Sequence, residues 1–486
     1  MWPLVCAIAT AHTAWQAPAH PPIDAASRAA TRMLAGPIVG SGSVKGVIAP
    51  TGVSAQQQDD QPASSVPANR LAGTGNPTVW AEFGQLAAET GAVNLGQGFP
   101  DWQPPDFVVE QAQAALSEGF HQYTRPAGHP PLVEVLAKRY SEHLGRTVDP
   151  MSEVAITVGA SQALYLTLQA LVNPGDEVIL LEPAFDLYYG QVKLAGGTVV
   201  PVALGVDADA GGWRLDVPAF EAAITSGTKL IVLNSPHNPT GTAFSHAEME
   251  EIAAVLRKHP DVLVISDEVY KYTVYDEDSS HVHFAALPGM YDRTVTLSSA
   301  GKTFSITGWQ AGWCVGPERL LKPIQLLLPF VQFCVSTPVQ NALSRVLTLA
   351  DQPYEGHESY YDWLRAMYRG KREVLAAGLR RAGMGIMEGQ GGFFLMADTS
   401  GIDVPQRYLD EVTPAAPNGV TRDWAFCRWM AIEGGVIAIP ASPFYSPPNK
   451  ELAANYIRFA FCKGDDTLIE AAARIEKLVK GSNDSE

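Results

Sequence analysis

Lys302 stands in Ser298-Ser-Ala-Gly-Lys-Thr-Phe, a turn of small residues between an apolar strand pattern (Thr294–Leu297) and a Gly-rich stretch leading into another strand. A lysine that forms an imine with a carbonyl compound needs room beside its amine, and small neighbours supply that room. Upstream, Asp267 follows the apolar run Val262–Ser266, which puts its carboxylate at a sheet edge facing a cleft. A buried, unpaired carboxylate is costly, so Asp267 needs a cationic partner. Downstream, Arg458 interrupts the otherwise apolar Tyr456-Ile-Arg-Phe459. Charged residues are rarely buried alone, so this arginine implies either an exposed edge strand or a bound partner. A guanidinium matches a carboxylate with two parallel hydrogen bonds.

The elements that must position these groups read as an alternation. Strand candidates are Val154–Val158, Glu177–Leu181, Thr198–Val202, Lys229–Leu233, Val262–Ser266, Thr294–Leu297 and Gly312–Val315, with helical patterns such as Ser161–Val172 and His246–Lys258 between them. Buried apolar strands alternating with amphipathic helices predict a doubly wound, mostly parallel α/β sheet covered on both faces. The chemistry-bearing residues fall at strand C-termini, where open α/β sheets place ligands. Gly159-Ala-Ser161 follows one strand and opens a helix, an arrangement that aims backbone amides at an anion. Ser161 as an ordinary N-cap is the plainer alternative. Asn238, in Asn234-Ser-Pro-His-Asn-Pro-Thr-Gly241, occupies a turn. A long helical pattern begins near Tyr360. Gly391–Ala397, Val436–Ile439 and Tyr456–Phe461 then read as strands of a smaller α+β unit.

Taken together, Asn234–Gly241, Ile265-Ser-Asp-Glu-Val-Tyr270 and Ser298–Trp313 resemble the fold-type I pyridoxal-phosphate aminotransferases over about Asn76 to Val479. Val93–Asp101, Gln122-Tyr-Thr-Arg125, Ala300–Phe304 and Ala438–Tyr445 are most similar to the kynurenine aminotransferase I/glutamine transaminase K group and bacterial methionine aminotransferases. The resemblance implies a seven-stranded large domain (106–350), a small domain (351–482) and an N-terminal segment (75–105) packing near the small one. It implies that Lys302 holds the cofactor and, once released, moves a proton. Asp267 would face the pyridine nitrogen, keeping it protonated so that the ring stabilises a substrate carbanion. Tyr270 and Asn238 would bond the phenolic oxygen, Phe185 would stack on the ring, and Gly159, Ala160, Ser161 and Ser299 would hold the phosphate. Arg458 would take the substrate carboxylate beside Gly98, and Trp80 would border the side-chain pocket. Tyr123 would reach the phosphate from a second subunit, implying a homodimer.

Two departures stand out. Gln310 occupies a position where the family usually has Arg or Lys against the phosphate, and Val335-Ser336 stands where kynurenine-selective members carry Phe-His. The expected activity is transfer of an amino group between a large neutral amino acid (glutamine, methionine, aromatic, kynurenine) and a 2-oxo acid. A cysteine-conjugate β-lyase on the same fold is the chemical alternative. A ligand-sensing regulatory module would need a DNA-binding unit, and the N-terminal region has no paired-helix pattern with a basic recognition face.

Composition agrees with a large soluble enzyme. The 34 basic and 51 acidic residues give a formal charge of −17, which disfavours nucleic acid and anionic membrane as partners. No apolar run is long enough to span a bilayer. Cys6, Cys314, Cys334, Cys427 and Cys462 are widely spaced and no CxxC or Cys/His cluster occurs, so neither a disulfide framework nor a zinc site is expected. Residues 1–74, Ala/Ser/Pro/Gln-rich after a short apolar start, read as a leader. A plastid or mitochondrial destination follows from that reading, with a cytoplasmic enzyme as the alternative.

Overall fold

The computed structural model describes residues 68–71, 75, 77–207, 212–276 and 280–483, which belong to one compact unit. The expected leader, apart from residues 68–71, lies outside the described residues.

The large sheet is built from β1 (Val154–Val158), β2 (Glu177–Glu182), β3 (Thr198–Asp207), β4 (Gly212–Leu215), β5 (Thr228–Asn234), β6 (Leu263–Asp267), β7 (Thr294–Ser299) and β8 (Ala311–Val315). Their spatial order is β1-β8-β7-β6-β5-β2-β3-β4. All seven expected strands form, but the sheet has eight strands, not seven. The additional β4 pairs antiparallel with the end of β3, Leu204 opposite Leu215, as an edge hairpin. Four residues with two inward side chains, Trp213 and Leu215, are too short a period-2 pattern to stand out in the sequence. Strands β3, β2, β5, β6 and β7 are mutually parallel. Strand β8 runs against both β7 and β1, so the C-terminal end of β1 returns to the edge where the parallel strands end.

Alternation along the strands serves two cores. Ile179, Leu181, Ile231, Leu233 and Val264 pack on one face. Val178, Leu180, Leu230, Val232 and Ile265 pack on the other. Both faces are therefore apolar, as a sheet sandwiched between helices demands. The helices used below are α1 (Val79–Thr90), α2 (Pro130–Leu144), α3 (Gly159–Leu171), α4 (His246–Lys258), α5 (Glu318–Val331) and α6 (Tyr360–Arg381). Helix α4 begins where expected because Ser245 and Glu248 form a reciprocal capping box.

A second, antiparallel sheet contains β9 (Gly385–Met387), β10 (Phe394–Asp398), β11 (Ile439–Pro440) and β12 (Tyr456–Ala460), in the order β9-β10-β12-β11. The apolar run Val436–Ile439 is divided between two partners. Val436–Ile437 pairs in parallel with Val93–Asn94, and Ile439–Pro440 joins β12. Residues 93–94 are thereby tied to the C-terminal part of the fold. Among the described residues, no helix is long and apolar enough to cross a membrane.

Candidate active site

The C-terminal ends of β2, β5, β6 and β7 converge on one cavity of about 470 Å³, and the start of α3 closes its side. Trp80, Gly98, Gly159, Ala160, Ser161, Phe185, Asn238, Asp267, Tyr270, Ser299, Lys302, Gln310 and Arg458 all line it. Tyr123 does not. It is 81% exposed and packs edge-on against Phe333 at 4.8 Å.

Asp267 ends β6 and is buried. Loss of water pushes its carboxyl up to about 6, while a hydrogen bond from Tyr188 and one from the Val269 amide pull in the other direction. The Tyr188 hydroxyl donates to Asp267 Oδ2 at 2.7 Å. Sequence reading missed Tyr188. Its signal was present, an aromatic three residues after Phe185, but such a residue reads equally as core. Asn234 was also missed. Its Oδ1 accepts from the Asn238 amide at 2.7 Å and its Nδ2 donates to the Asp267 carbonyl at 3.0 Å, so it fixes two predicted residues at once.

Lys302 sits in the short helix Ala300–Thr303 just beyond β7, and its Nζ donates to the Gly98 carbonyl at 3.0 Å. Burial lowers its amine below the ordinary lysine range. Arg458 adds to that, whereas Cys462 and Asp267 oppose it. A larger neutral fraction suits an amine that must attack a carbonyl or take a proton.

Arg458 is not at a sheet edge. It lies in β12 between β10 and β11, opposite Met396 and Ile439, and is 1% exposed. Its Nη1 donates to Asn238 Oδ1 at 2.9 Å and its Nη2 to the Gly96 carbonyl at 2.7 Å. Its Nε is buried without a hydrogen-bond partner, and the guanidinium stacks 4.0 Å from the Phe394 ring centroid. Burial brings it down to about 10. Among the described residues no carboxylate forms an ion pair with it. Such a buried cation is completed by an anionic ligand.

The first turn of α3 carries no side-chain cap, so Ser161 is not the N-cap. That position is Val158. The amides of Gly159, Ala160 and Ser161 thus begin a thirteen-residue helix whose positive end faces the cavity. Gly159 has φ +69°, and a Cβ there would stand 2.7 Å from Gln310 Oε1. Gln310, itself at φ +49°, lies beside this turn with its amide nitrogen donating to the Thr307 carbonyl at 2.5 Å. Ser299 Oγ accepts from the Gly301 amide at 3.1 Å and donates to the Ala311 carbonyl at 3.2 Å.

Comparison with known proteins fits this geometry. Residues 90–475 match the family described as aminotransferase class I and II. The chain belongs to that family. This aminotransferase is 42% identical over 417 residues to the kynurenine–oxoglutarate transaminase of Dictyostelium discoideum, covering 83% of this chain and 94% of that one. It is 40% identical over 428 residues to kynurenine–oxoglutarate transaminase 1 of Homo sapiens, covering 86% and 99%. Among solved structures, it resembles the Escherichia coli protein YbdL, for which a methionine aminotransferase function is described. That match has TM-score 0.75 and 32% identity, over 85% of this chain and 99% of that one. Bna3p of Saccharomyces cerevisiae gives TM-score 0.79 with the same identity and coverage.

The aminotransferase uses pyridoxal phosphate. The cavity fits that molecule. A planar ring with a cationic nitrogen matches Phe185 and the buried Asp267 carboxylate, and a phosphate matches the uncapped turn of α3. The cations lining the cavity are Lys302 and Arg458, so Gln310 contributes no charge to the phosphate end.

Proposed function

We propose that this aminotransferase moves the amino group of a large neutral amino acid (glutamine, methionine, an aromatic residue or kynurenine) to a 2-oxo acid. The observation that carries the substrate reading is Arg458, a desolvated guanidinium with no carboxylate ion pair among the described residues, sharing a cavity with Lys302 and walled by Trp80, Phe99 and Phe394. A forked cation accommodates one carboxylate, and aromatic walls accommodate an uncharged side chain. The names of the relatives favour kynurenine and methionine among the donors.

Bound pyridoxal phosphate would supply the electron sink that lets the substrate Cα give up its proton. The chain supplies the rest. Asp267 holds a proton on the ring nitrogen and is itself held by Tyr188. Lys302 carries the proton lost from Cα. Asn238 and Tyr270 would hold the phenolic oxygen, Arg458 would orient the substrate through its carboxylate, and α3 with Ser299 would receive the phosphate.

The functional unit in this proposal is a homodimer. Leu326 and Phe330 of α5, with Phe333 and Tyr123, form exposed aromatic and aliphatic surface, Phe330 being 89% exposed. Val335 and Ser336 line a depression with Tyr123, apart from the chain's own cavity, which in such a dimer would bear on a neighbouring subunit's site. The N-terminal residues are proposed to direct the enzyme to a plastid or mitochondrion, which a fluorescent fusion of residues 1–74 tests directly.

The function is tested by a donor–acceptor screen on purified enzyme, with absorbance spectra recorded before and after each amino acid. Transfer from neutral donors to a 2-oxo acid is the expected result. Preference for acidic donors, or release of pyruvate and ammonia from cysteine conjugates without transfer, overturns it.

A further inference from the structure

A polar cluster lies outside the cavity lining. Glu268, the residue after Asp267, is buried, and its Oε1 accepts from Ser266 Oγ at 2.9 Å. Its other oxygen, Oε2, lies 2.6 Å from His283 Nδ1 and 3.0 Å from His281 Nε2. The imidazole of His143, on α2, stacks on His283 with centroids 4.6 Å apart and planes inclined by 19°.

His283 Nδ1 is hydrogen-bonded to Glu268 Oε2, but the other two histidines are short of partners. The His281 side chain is 8% exposed, yet neither of its ring nitrogens has a hydrogen-bond partner, and His143 Nδ1 is in the same condition. The approach of His281 Nε2 to Glu268 therefore has contact distance without hydrogen-bond direction. Buried polar atoms are nearly always satisfied, so orphaned nitrogens beside a carboxylate point to a missing ligand.

We propose that Glu268, His281 and His283 form a binding site for a divalent transition-metal ion of the zinc type, with a water in the fourth position. The ligand atoms of the three residues all lie within 4.8 Å of one another. Two histidines and one carboxylate are an established zinc donor set. Bonds of about 2.0–2.2 Å in a tetrahedron separate donors by about 3.3 Å. To accept the ion, the 3.0 Å contact opens by about 0.3 Å and the 2.6 Å contact by about 0.7 Å. Lys271 sets a limit on affinity. Its buried ammonium, which donates to the Tyr140 hydroxyl at 3.0 Å, sets a like charge near the cluster, so the expected binding is weak enough for a chelator to reverse. The role assigned is structural. The Glu268 amide is bonded to the Leu297 carbonyl at 2.9 Å, so the ion pins residues 281–283 to the ends of β6 and β7.

The test uses untagged holoenzyme, treated with EDTA, desalted, and then given Zn2+ or Co2+ in small excess. One ion per chain should survive gel filtration, the melting temperature should rise, and the Co2+ form should show visible d–d bands of a four-coordinate nitrogen and oxygen site. Glu268→Gln and His281→Gln should each weaken metal binding on the order of tenfold or more. Retained cofactor absorbance in each variant reports an intact fold. If Glu268→Gln fails to fold, His281→Gln decides alone. Absence of retained metal in the wild-type enzyme overturns the proposal and leaves a polar cluster only. Equal retention in the variants also overturns it, since the ion then sits elsewhere.

Discussion

At the scale of single residues, burial decides how the site titrates. The Asp267 carboxyl lies at about 6 in the fold, against an ordinary value of 3.8, because desolvation outweighs its two hydrogen bonds. In cofactor-free enzyme the folded state therefore holds a proton that the unfolded chain has already released. Between about pH 4 and 6 stability falls as pH rises, by no more than about 3 kcal/mol, and it stays reduced above that window. Asp267→Asn should flatten this slope in thermal melts of cofactor-free protein, while transamination by the loaded variant drops by orders of magnitude. Near-normal activity would mean that another group keeps the ring protonated. Gln310 poses a second question of charge. Gln310→Arg places a cation beside the first turn of α3 and should tighten cofactor binding by about 1 kcal/mol. The dissociation constant at low and moderate salt is the measurement, and weaker binding would show that the left-handed turn cannot deliver the longer side chain to the phosphate.

Among elements, what was readable from sequence is what depends on local pattern. The seven apolar strands and the start of α4 follow from run length, alternation and a capping box, all set within a few residues. Long-range placement was not readable. Strand β12 could have been an exposed edge. It is interior because the two-residue β11 pairs beside it, and two residues carry no strand signal. Likewise Trp80 on α1 was expected at the pocket wall, but its fastening was not. Its indole nitrogen donates at 2.7 Å to Asp186, far along the chain. Asp186→Asn keeps the shape and removes the charge, at a cost of about 1 kcal/mol in that hydrogen bond. KM for the amino donor should rise several-fold with kcat less affected, and an equal fall in both would assign Asp186 a different part. Gly98 is set by contact as well. A Cβ there would meet Phe394 Cζ at 2.6 Å. Gly98→Ala should cost about 1–3 kcal/mol in substrate binding or stability, read from KM and the melting temperature.

For the whole molecule, the cavity and every residue assigned to it lie within residues 67–486. Enzyme lacking residues 1–66 should accordingly keep its cofactor absorbance and turnover. An insoluble or inactive product would show that those residues belong to the working fold. The two sheets meet through the strap 96–101. Its carbonyls at Gly96, Gly98 and Phe99 accept from Arg458, Lys302 and Lys463, and Asp101 receives the Gly464 amide at 2.8 Å. Lys302 and Arg458 are also the groups proposed to take cofactor and substrate. Arg458 keeps its unpartnered Nε for a carboxylate, whereas Lys302 Nζ, once given to the cofactor, leaves the Gly98 carbonyl without its donor. On that proposal, loading the cofactor frees one anchor of the strap. The Gly98 carbonyl is then its reporter, its 13C resonance moving on addition of pyridoxal phosphate and staying put when an amino acid is added alone.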